Sequence, residues 1–166
     1  MLPMKRPRLS AVGVLPDYRL ALTFIDGQQL TLDLSRDLQA FAGLKPLQGE
    51  AFEGATLGDD GWCVEWPGQD IQIGADTLYL DALAQNASDE NTRIFIDWRA
   101  RTGLPLNQAA AALGVSARSI SRYSSGREAV PRSLALACLG WDFLQQQANL
   151  PRAAEVTGRY TVTRKR

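Results

Sequence analysis

Residues 105–123 of this chain read PLNQAAAALGVSARSISRY, and this stretch decides the fold of the C-terminal half. Proline is favoured in the first turn of a helix, and Pro105 is placed to begin one. Gly114 can adopt the left-handed backbone conformation that commonly ends a helix. The pattern between them predicts a short helix over 106–113, in which alanine side chains allow a neighbouring helix to approach closely. A tight turn is expected at Gly114.

A second short helix is predicted over 117–124, directly after that turn. Ser116 is suited to cap its first turn, because a serine hydroxyl accepts hydrogen bonds from free backbone amides. Ile120 and Tyr123 are three residues apart and are expected to face inward together with Val115. The outward face then carries short polar and basic side chains and no large apolar one.

Two further helices are predicted on either side of this pair. The first has Ile94, Phe95 and Trp98 at helical spacing and is followed by a natural C-terminal cap, Gly103. The second begins at Pro131. Its inward-facing positions are Leu134, Ala137, Cys138 and Trp141. The C-terminal half is therefore predicted to be all-α.

Basic and acidic side chains are distributed unequally, although the net charge of the chain is zero. Residues 1–91 carry six basic and fourteen acidic side chains, whereas residues 92–166 carry twelve basic and four acidic ones. Such a difference indicates that the basic half binds a polyanion. The chain has no histidine, which excludes Ser-His-Asp and Cys-His catalysis within it and every histidine-containing zinc site. We expect neither an enzyme nor a bound cofactor or metal ion.

The N-terminal half is expected to begin with a three-stranded antiparallel meander. Its strands are predicted over 11–15, 19–25 and 30–34. They are separated by Pro16-Asp17 and by Asp26-Gly27, a dipeptide typical of two-residue hairpins. Leu20, Leu22 and Phe24 alternate with other residues and are expected to share one face.

The rest of this half is predicted to complete an α+β module, an antiparallel sheet with short helices. The predicted elements are a helix near 36–41, a turn at 59–61, strands over 62–66 and 70–73, and a helix over 77–84 capped by Asp76. Trp62 and Trp66 lie four residues apart and are expected to pack on one face of their strand. Cys63 and Cys138 are expected to be buried free thiols.

Motifs of this half occur in the order found in the DUF2442 domain, which most of residues 8–84 resembles. These motifs are Pro16–Leu20, Phe24–Gly27, Asp33-Leu34, Trp66–Ile71 and Asp76–Tyr79. The family has no established biochemical activity, so the resemblance implies a fold. Some members are encoded beside toxin–antitoxin-like partners, which by analogy implies a protein-interaction role.

The helical half resembles the lambda-repressor-like (Cro/C1, XRE) family of helix-turn-helix domains. The resemblance is carried by Gly103-Leu104, Ala110–Ser116, Ser125–Arg127, Val130–Arg132 and the amphipathic helix that follows. It implies a DNA-binding domain whose second short helix enters the major groove. Leu106 departs from the family pattern, in which a glutamine contacts a phosphate, and either Asn107 or Gln108 is available to replace that contact.

The resemblance also implies which residues contact DNA. The base-facing residues are Ser116, Ala117, Arg118, Ser121 and Arg122. The phosphate-binding residues are Asn107, Gln108, Ser125, Arg127 and Arg132. Arg118 and Arg122 suit bidentate contacts to guanine, and Ala117 suits contact with a thymine methyl group.

The chain is therefore expected to have a DUF2442-like domain at residues 1–86 and a helix-turn-helix domain at 87–166 that ends in a basic tail. We expect a cytoplasmic, sequence-specific transcriptional regulator that binds double-stranded DNA as a homodimer. The dimer contact is expected on the last helix, around 141–147, or on the N-terminal sheet. The acidic half is expected to avoid DNA and to bind a ligand or a protein partner. The alternative is an antitoxin-like or adaptor protein whose domains bind other proteins.

Overall fold

The N-terminal half contains two antiparallel sheets of three strands each. The structure is a computed structural model and describes residues 4–149. The first sheet consists of β1 (Leu9–Leu15), β2 (Arg19–Phe24) and β3 (Gln29–Asp33), in that order. The second consists of β4 (Thr56–Gly58), β5 (Cys63–Trp66) and β6 (Ile71–Gly74).

The first sheet is the predicted meander. Leu20 lies opposite Val14 of β1 and opposite Leu32 of β3. Because successive side chains of a strand point to opposite faces, this register places Leu20, Leu22 and Phe24 in the core, where all three are buried. The predicted shared face is therefore confirmed.

The predicted packing of the two tryptophans is wrong for one of them. Trp66 is fully buried, and its indole Nε1 donates to the carbonyl oxygen of Phe52 at 2.9 Å. Trp62 is 42% exposed. The strand begins only at Cys63, and the backbone of Trp62 is helical (φ −77°, ψ −14°), so the two-residue alternation does not extend to its side chain.

Two α-helices accompany the sheets within residues 4–86. They are α1 (Ser35–Ala40), close to its predicted position, and α2 (Ala75–Asn86). The prediction that Asp76 caps α2 is wrong, because the strand β6 leads directly into the helix and Gly74 occupies the N-cap position. The Asp76 carboxylate instead accepts a hydrogen bond from the Thr77 amide at 2.9 Å within the first turn.

The C-terminal half consists of helices. They are α3 (Glu90–Thr102), α4 (Leu106–Leu113), α5 (Ala117–Ser124) and α6 (Arg132–Ala148). Asp89 caps α3 by accepting from the Thr92 amide, and Gly103 ends it in the predicted left-handed conformation. The prediction of an antiparallel-sheet region with short helices followed by several helices is confirmed.

Two hydrophobic clusters form the core, and they meet at α2. The first lies between the sheets and α2, and the second is built around Phe95, Trp98 and Ile120. Leu83 of α2 packs against both clusters, so the two halves are in direct contact. Cys63 and Cys138 are buried free thiols as predicted, and burial raises the pKa of Cys138 to about 12.

Within residues 4–149, every helix is too short or too polar to span a membrane. The predicted basic tail lies largely in residues 150–166, outside the described part of the chain.

Candidate nucleic-acid interface

The helices α4 and α5 are joined by a tight turn at Gly114. Gly114 has φ +69° and ψ +32°, a left-handed conformation that glycine adopts at little cost. Its amide donates to the carbonyl oxygen of Ala110, as does the amide of Val115 at 3.1 Å. These bonds satisfy the end of α4 and reverse the chain direction before α5 begins.

The orientation of α5 is set by one buried side chain and one cap. Ile120 is 0% exposed and packs in the second hydrophobic cluster. The Ser116 hydroxyl accepts from the Ser119 amide at 3.1 Å and also bonds the Ser119 hydroxyl at 2.9 Å. The predicted cap is confirmed. Ser116 is also predicted to face the bases, and its hydroxyl is already bonded within the protein.

The face of α5 opposite Ile120 is polar and basic, as the sequence predicts. Arg118, Ser121 and Arg122 are exposed, and Ala117 is half-buried. Among the described residues 4–149, no carboxylate forms an ion pair with Arg118. The Arg118 guanidinium therefore has unsatisfied donors directed to solvent.

Arg122 is held more firmly than Arg118. Its Nε lies 3.3 Å from a carboxylate oxygen of Glu128, and its guanidinium carbon lies 4.8 Å from the ring centre of Tyr123. Its terminal nitrogen also donates to the Tyr123 hydroxyl at 3.0 Å. For Arg122 to bind a base, its ion pair with the exposed Glu128 would have to break. An ion pair between exposed side chains is weak.

The predicted phosphate-binding residues after α5 are also engaged within the protein. The Ser125 hydroxyl donates to the carbonyl oxygen of Arg122 at 2.7 Å and accepts from the Arg127 amide at 3.3 Å. The Arg127 guanidinium lies 3.4 Å from the Asp26 carboxylate, which is only 5% exposed. Arg127 thus connects the helical half to the first sheet, a contact that no local sequence pattern indicates.

The other predicted phosphate-binding residues lie at helix starts. Asn107 and Gln108 are exposed in the first turn of α4, and Arg132 is exposed at the first residue of α6. Leu106, the first residue of α4, is 39% exposed. The side chains at the start of α4 are thus accessible from solvent.

Comparison with known proteins assigns the N-terminal half and relates the whole chain to a solved structure. Residues 9–83 match the family described as "Protein of unknown function (DUF2442)". The crystal structure of Putative DNA Binding Protein NE0471 from Nitrosomonas europaea ATCC 19718 is similar with 34% identity and a TM-score of 0.56, and the match covers 92% of this chain and 97% of that one. Residues 9–83 are therefore a DUF2442 domain. No curated protein matches the chain, and the family match ends before α3.

The DUF2442 domain and the helices enclose a cleft of about 760 Å³, which we call the junction cleft. Its lining from the N-terminal half includes Met4, Lys5, Pro7, Asp26, Gln28, Asp76, Thr77 and Tyr79. Its lining from the helical half includes Arg99, Leu104, Leu106, Ser121, Ser124, Ser125 and Arg127. Since Leu106 and Ser121 both line it, the first turn of α4 and the exposed face of α5 open onto this cleft.

Tyr79 and Arg99 were not predicted from the sequence as site residues. Tyr79 connects the two halves, and Arg99 connects elements within the helical half. The Tyr79 hydroxyl donates to the carbonyl oxygen of Ser125 at 3.2 Å, and burial raises the pKa of this phenol. Arg99 donates to the Ser124 hydroxyl at 3.3 Å and to the carbonyl oxygen of Leu104 at 2.6 Å. Burial lowers the pKa of the Arg99 guanidinium, and its two acceptors here carry no charge that would offset this effect.

Proposed function

We propose that this protein is a transcriptional regulator that binds double-stranded DNA sequence-specifically. In this proposal α4 and α5 act as a lambda-repressor-like helix-turn-helix, and α5 lies in the major groove. The observation that carries the proposal is the orientation of α5: buried Ile120 anchors one face, and the opposite face is exposed, polar and basic. The relative named a DNA-binding protein, 34% identical over nearly the whole chain, supports the same assignment.

Arg118 is the proposed principal base reader. It is exposed and makes no ion pair with residues 4–149, so no internal contact has to break when it binds guanine. Arg122 is the proposed second reader and exchanges Glu128 for a base. Ala117 is proposed to contact a thymine methyl group, and Ser121 to bond a base edge.

Backbone phosphates are proposed to be bound by the residues that flank α5. This set is Asn107, Gln108, Ser125, Arg127 and Arg132. Such contacts hold the protein in register on the duplex and carry no sequence information directly. The proposal assigns no catalytic role to the chain and places it in the cytoplasm.

We also propose that the protein binds DNA as a homodimer through α6. Leu136, Leu139, Phe143 and Leu144 of this helix are 48–62% exposed, and their spacing places them on one side of it. Gly140 lies within this apolar face, and a Cβ added there would have no neighbour within 4 Å. A second α6 can therefore approach closely, and two helix-turn-helix units can bind two half-sites.

The dimer is tested by Phe143→Glu. This variant is expected to be monomeric in light scattering and to lose affinity for a two-half-site duplex. Gln145→Glu is the matched control, because residue 145 is nine positions from Leu136 and therefore lies on the opposite side of the helix. A wild-type protein that is monomeric both free and on DNA would contradict the dimer.

An antitoxin-like or adaptor protein is the second candidate function. The observation that favours it is the engagement of Arg122 by Glu128 and of Arg127 by Asp26, which occupies two of the predicted DNA contacts. The apolar face of α6 would then bind a different protein.

Selection of bound sequences from random duplexes separates the two functions. We expect a near-palindromic motif whose half-sites contain guanine opposite Arg118, and a shift of DNA from the protein's own upstream region in electrophoresis. Recovery of no motif would contradict the regulator and favour the adaptor.

A further inference from the structure

The junction cleft brings together basic side chains from three separate parts of the chain. Lys5 comes from the N-terminal segment, Arg99 from the end of α3 and Arg127 from the loop after α5. The N-terminal half is acidic overall, but its first acidic residue is Asp17, and the segment before that residue is basic. This half therefore contributes a cation beside the proposed DNA-reading helix.

Two of these cations have no acidic partner in the described part of the chain. Arg99 bonds only neutral oxygens, those of Ser124 and Leu104, and Lys5 is exposed and forms no ion pair with residues 4–149. Arg127 is paired with Asp26.

The two carboxylates that line the cleft are both engaged. Asp26 accepts from the side chain and the backbone amide of Gln28 as well as from Arg127. Asp76 accepts from the Thr77 amide. Both carboxylates therefore already accept hydrogen bonds inside the protein. The donors of Lys5 and the remaining donors of Arg99 are available to an anion.

We infer that the junction cleft binds a backbone phosphate of the DNA, held by Lys5 and Arg99. Lysine and arginine are among the side chains that bind phosphate oxygens in protein–DNA complexes. A DNA strand is favoured as the source of the phosphate, because the exposed face of α5 and the first turn of α4 open onto the same cleft. This inference rests on the proposed function. It makes the N-terminal half part of the DNA-binding surface, contrary to what the net charge of this half suggests.

The test is the salt dependence of DNA binding by Lys5→Gln. Each phosphate contact contributes about 0.9 to the slope of log affinity against log salt concentration. We expect Lys5→Gln to reduce this slope by about that amount and to weaken selected and random duplexes by the same factor. Lys45→Gln, which removes the same charge from an exposed residue that does not line the cleft, is expected to leave the slope unchanged.

A second variant, Arg99→Lys, retains the charge and is expected to keep the slope nearly unchanged, whereas Arg99→Gln is expected to reduce the slope by about 0.9. The melting temperature of each variant shows whether loss of the Ser124 and Leu104 bonds has disturbed the fold. A Lys5→Gln slope equal to that of the wild type would overturn the inference while the proposed function stands. An equal reduction by Lys45→Gln would also overturn it, because the effect would then be one of net charge.

Titration with inorganic phosphate distinguishes the source of the anion. Binding of inorganic phosphate that is lost in Lys5→Gln, with an unchanged DNA salt slope, would assign the cleft to a free anion and overturn the inference. A wild-type protein that binds no DNA would overturn the proposed function itself, and the inference with it.

Discussion

Replacement of Asp81 by Asn is expected to stabilise the folded protein at neutral pH. Asp81 lies on α2 at the contact between the two halves and is partly buried. Burial, together with the negative charges of Asp37 on α1 and Asp97 on α3, raises the pKa of Asp81 from 3.8 to about 6. At pH 7 the folded protein therefore holds a carboxylate in a place that favours the neutral acid.

The magnitude and the sign follow from this pKa difference. A rise from 3.8 to about 6 corresponds to about 3 kcal/mol at most, and partial exposure to solvent reduces the expected effect to about 1–2 kcal/mol. Because the folded state binds this proton more tightly than the unfolded state, the contribution of Asp81 to the free energy of unfolding falls as the pH rises from 3.8 through 6 and is constant above that. Asp81→Asn removes the titration, so the variant gains stability over the wild type only as the pH rises through this range.

Urea unfolding followed by tryptophan fluorescence at pH 4, 5, 6 and 7 measures the difference. We expect the wild type and Asp81→Asn to have nearly equal free energies of unfolding at pH 4 and to diverge by about 1–2 kcal/mol at pH 7. Asp70→Asn is the control, because Asp70 is exposed and its left-handed backbone (φ +54°) also suits asparagine. A difference of the same size at every pH, or a destabilised variant at pH 7, would refute the electrostatic account of Asp81.

Three further substitutions test the interface and the contact between the halves. Arg118→Ala is expected to cost about 1–3 kcal/mol of affinity for the selected site and to relax its sequence preference, and equal weakening on random duplexes would show a backbone contact instead. Arg127→Ala is expected to weaken all duplexes alike and to lower the salt slope by about 1, so a site-specific loss would contradict its phosphate role. Gly126→Ala is expected to destabilise the protein in urea by more than Gly103→Ala. Both glycines have positive φ, but of the two only a Cβ at residue 126 would lie 2.9 Å from a neighbour, a methyl carbon of Leu83. Equal losses of stability in the two variants would show that Leu83 moves aside at no cost.

Helix boundaries and turns could be predicted closely because short-range interactions determine them. The cap at Ser116 and the left-handed turns at Gly103 and Gly114 each depend on residues within about five positions along the chain. The cap assigned to Asp76 failed because β6 runs directly into α2, so that the helix starts one residue before the aspartate. The predicted packing of Trp62 was wrong for a similar reason, since the turn before β5 extends to that residue.

The exposed face of α5 could be predicted from the sequence, but only some of the contacts that side chains on and after this helix make could be. Periodicity places Ile120 inward and Arg118 outward without knowledge of any other element. The contact between Arg122 and Glu128 lies within one short segment. By contrast, the contact of Arg127 with Asp26 joins residues 101 positions apart and depends on how the DUF2442 domain packs on the helices.

The sequence by itself determined the two-part organisation, the charge difference between the halves and the helix pair with its exposed basic face. These features follow from composition, from periodicity and from turn residues, all of which act over a few positions. Only the tertiary structure decided that Lys5 and Arg99 line one cleft beside α5 and that Asp81 lies near two other carboxylates. Such groups meet because α2 packs on both halves at once, and no local pattern of side chains encodes which distant surfaces that packing brings together.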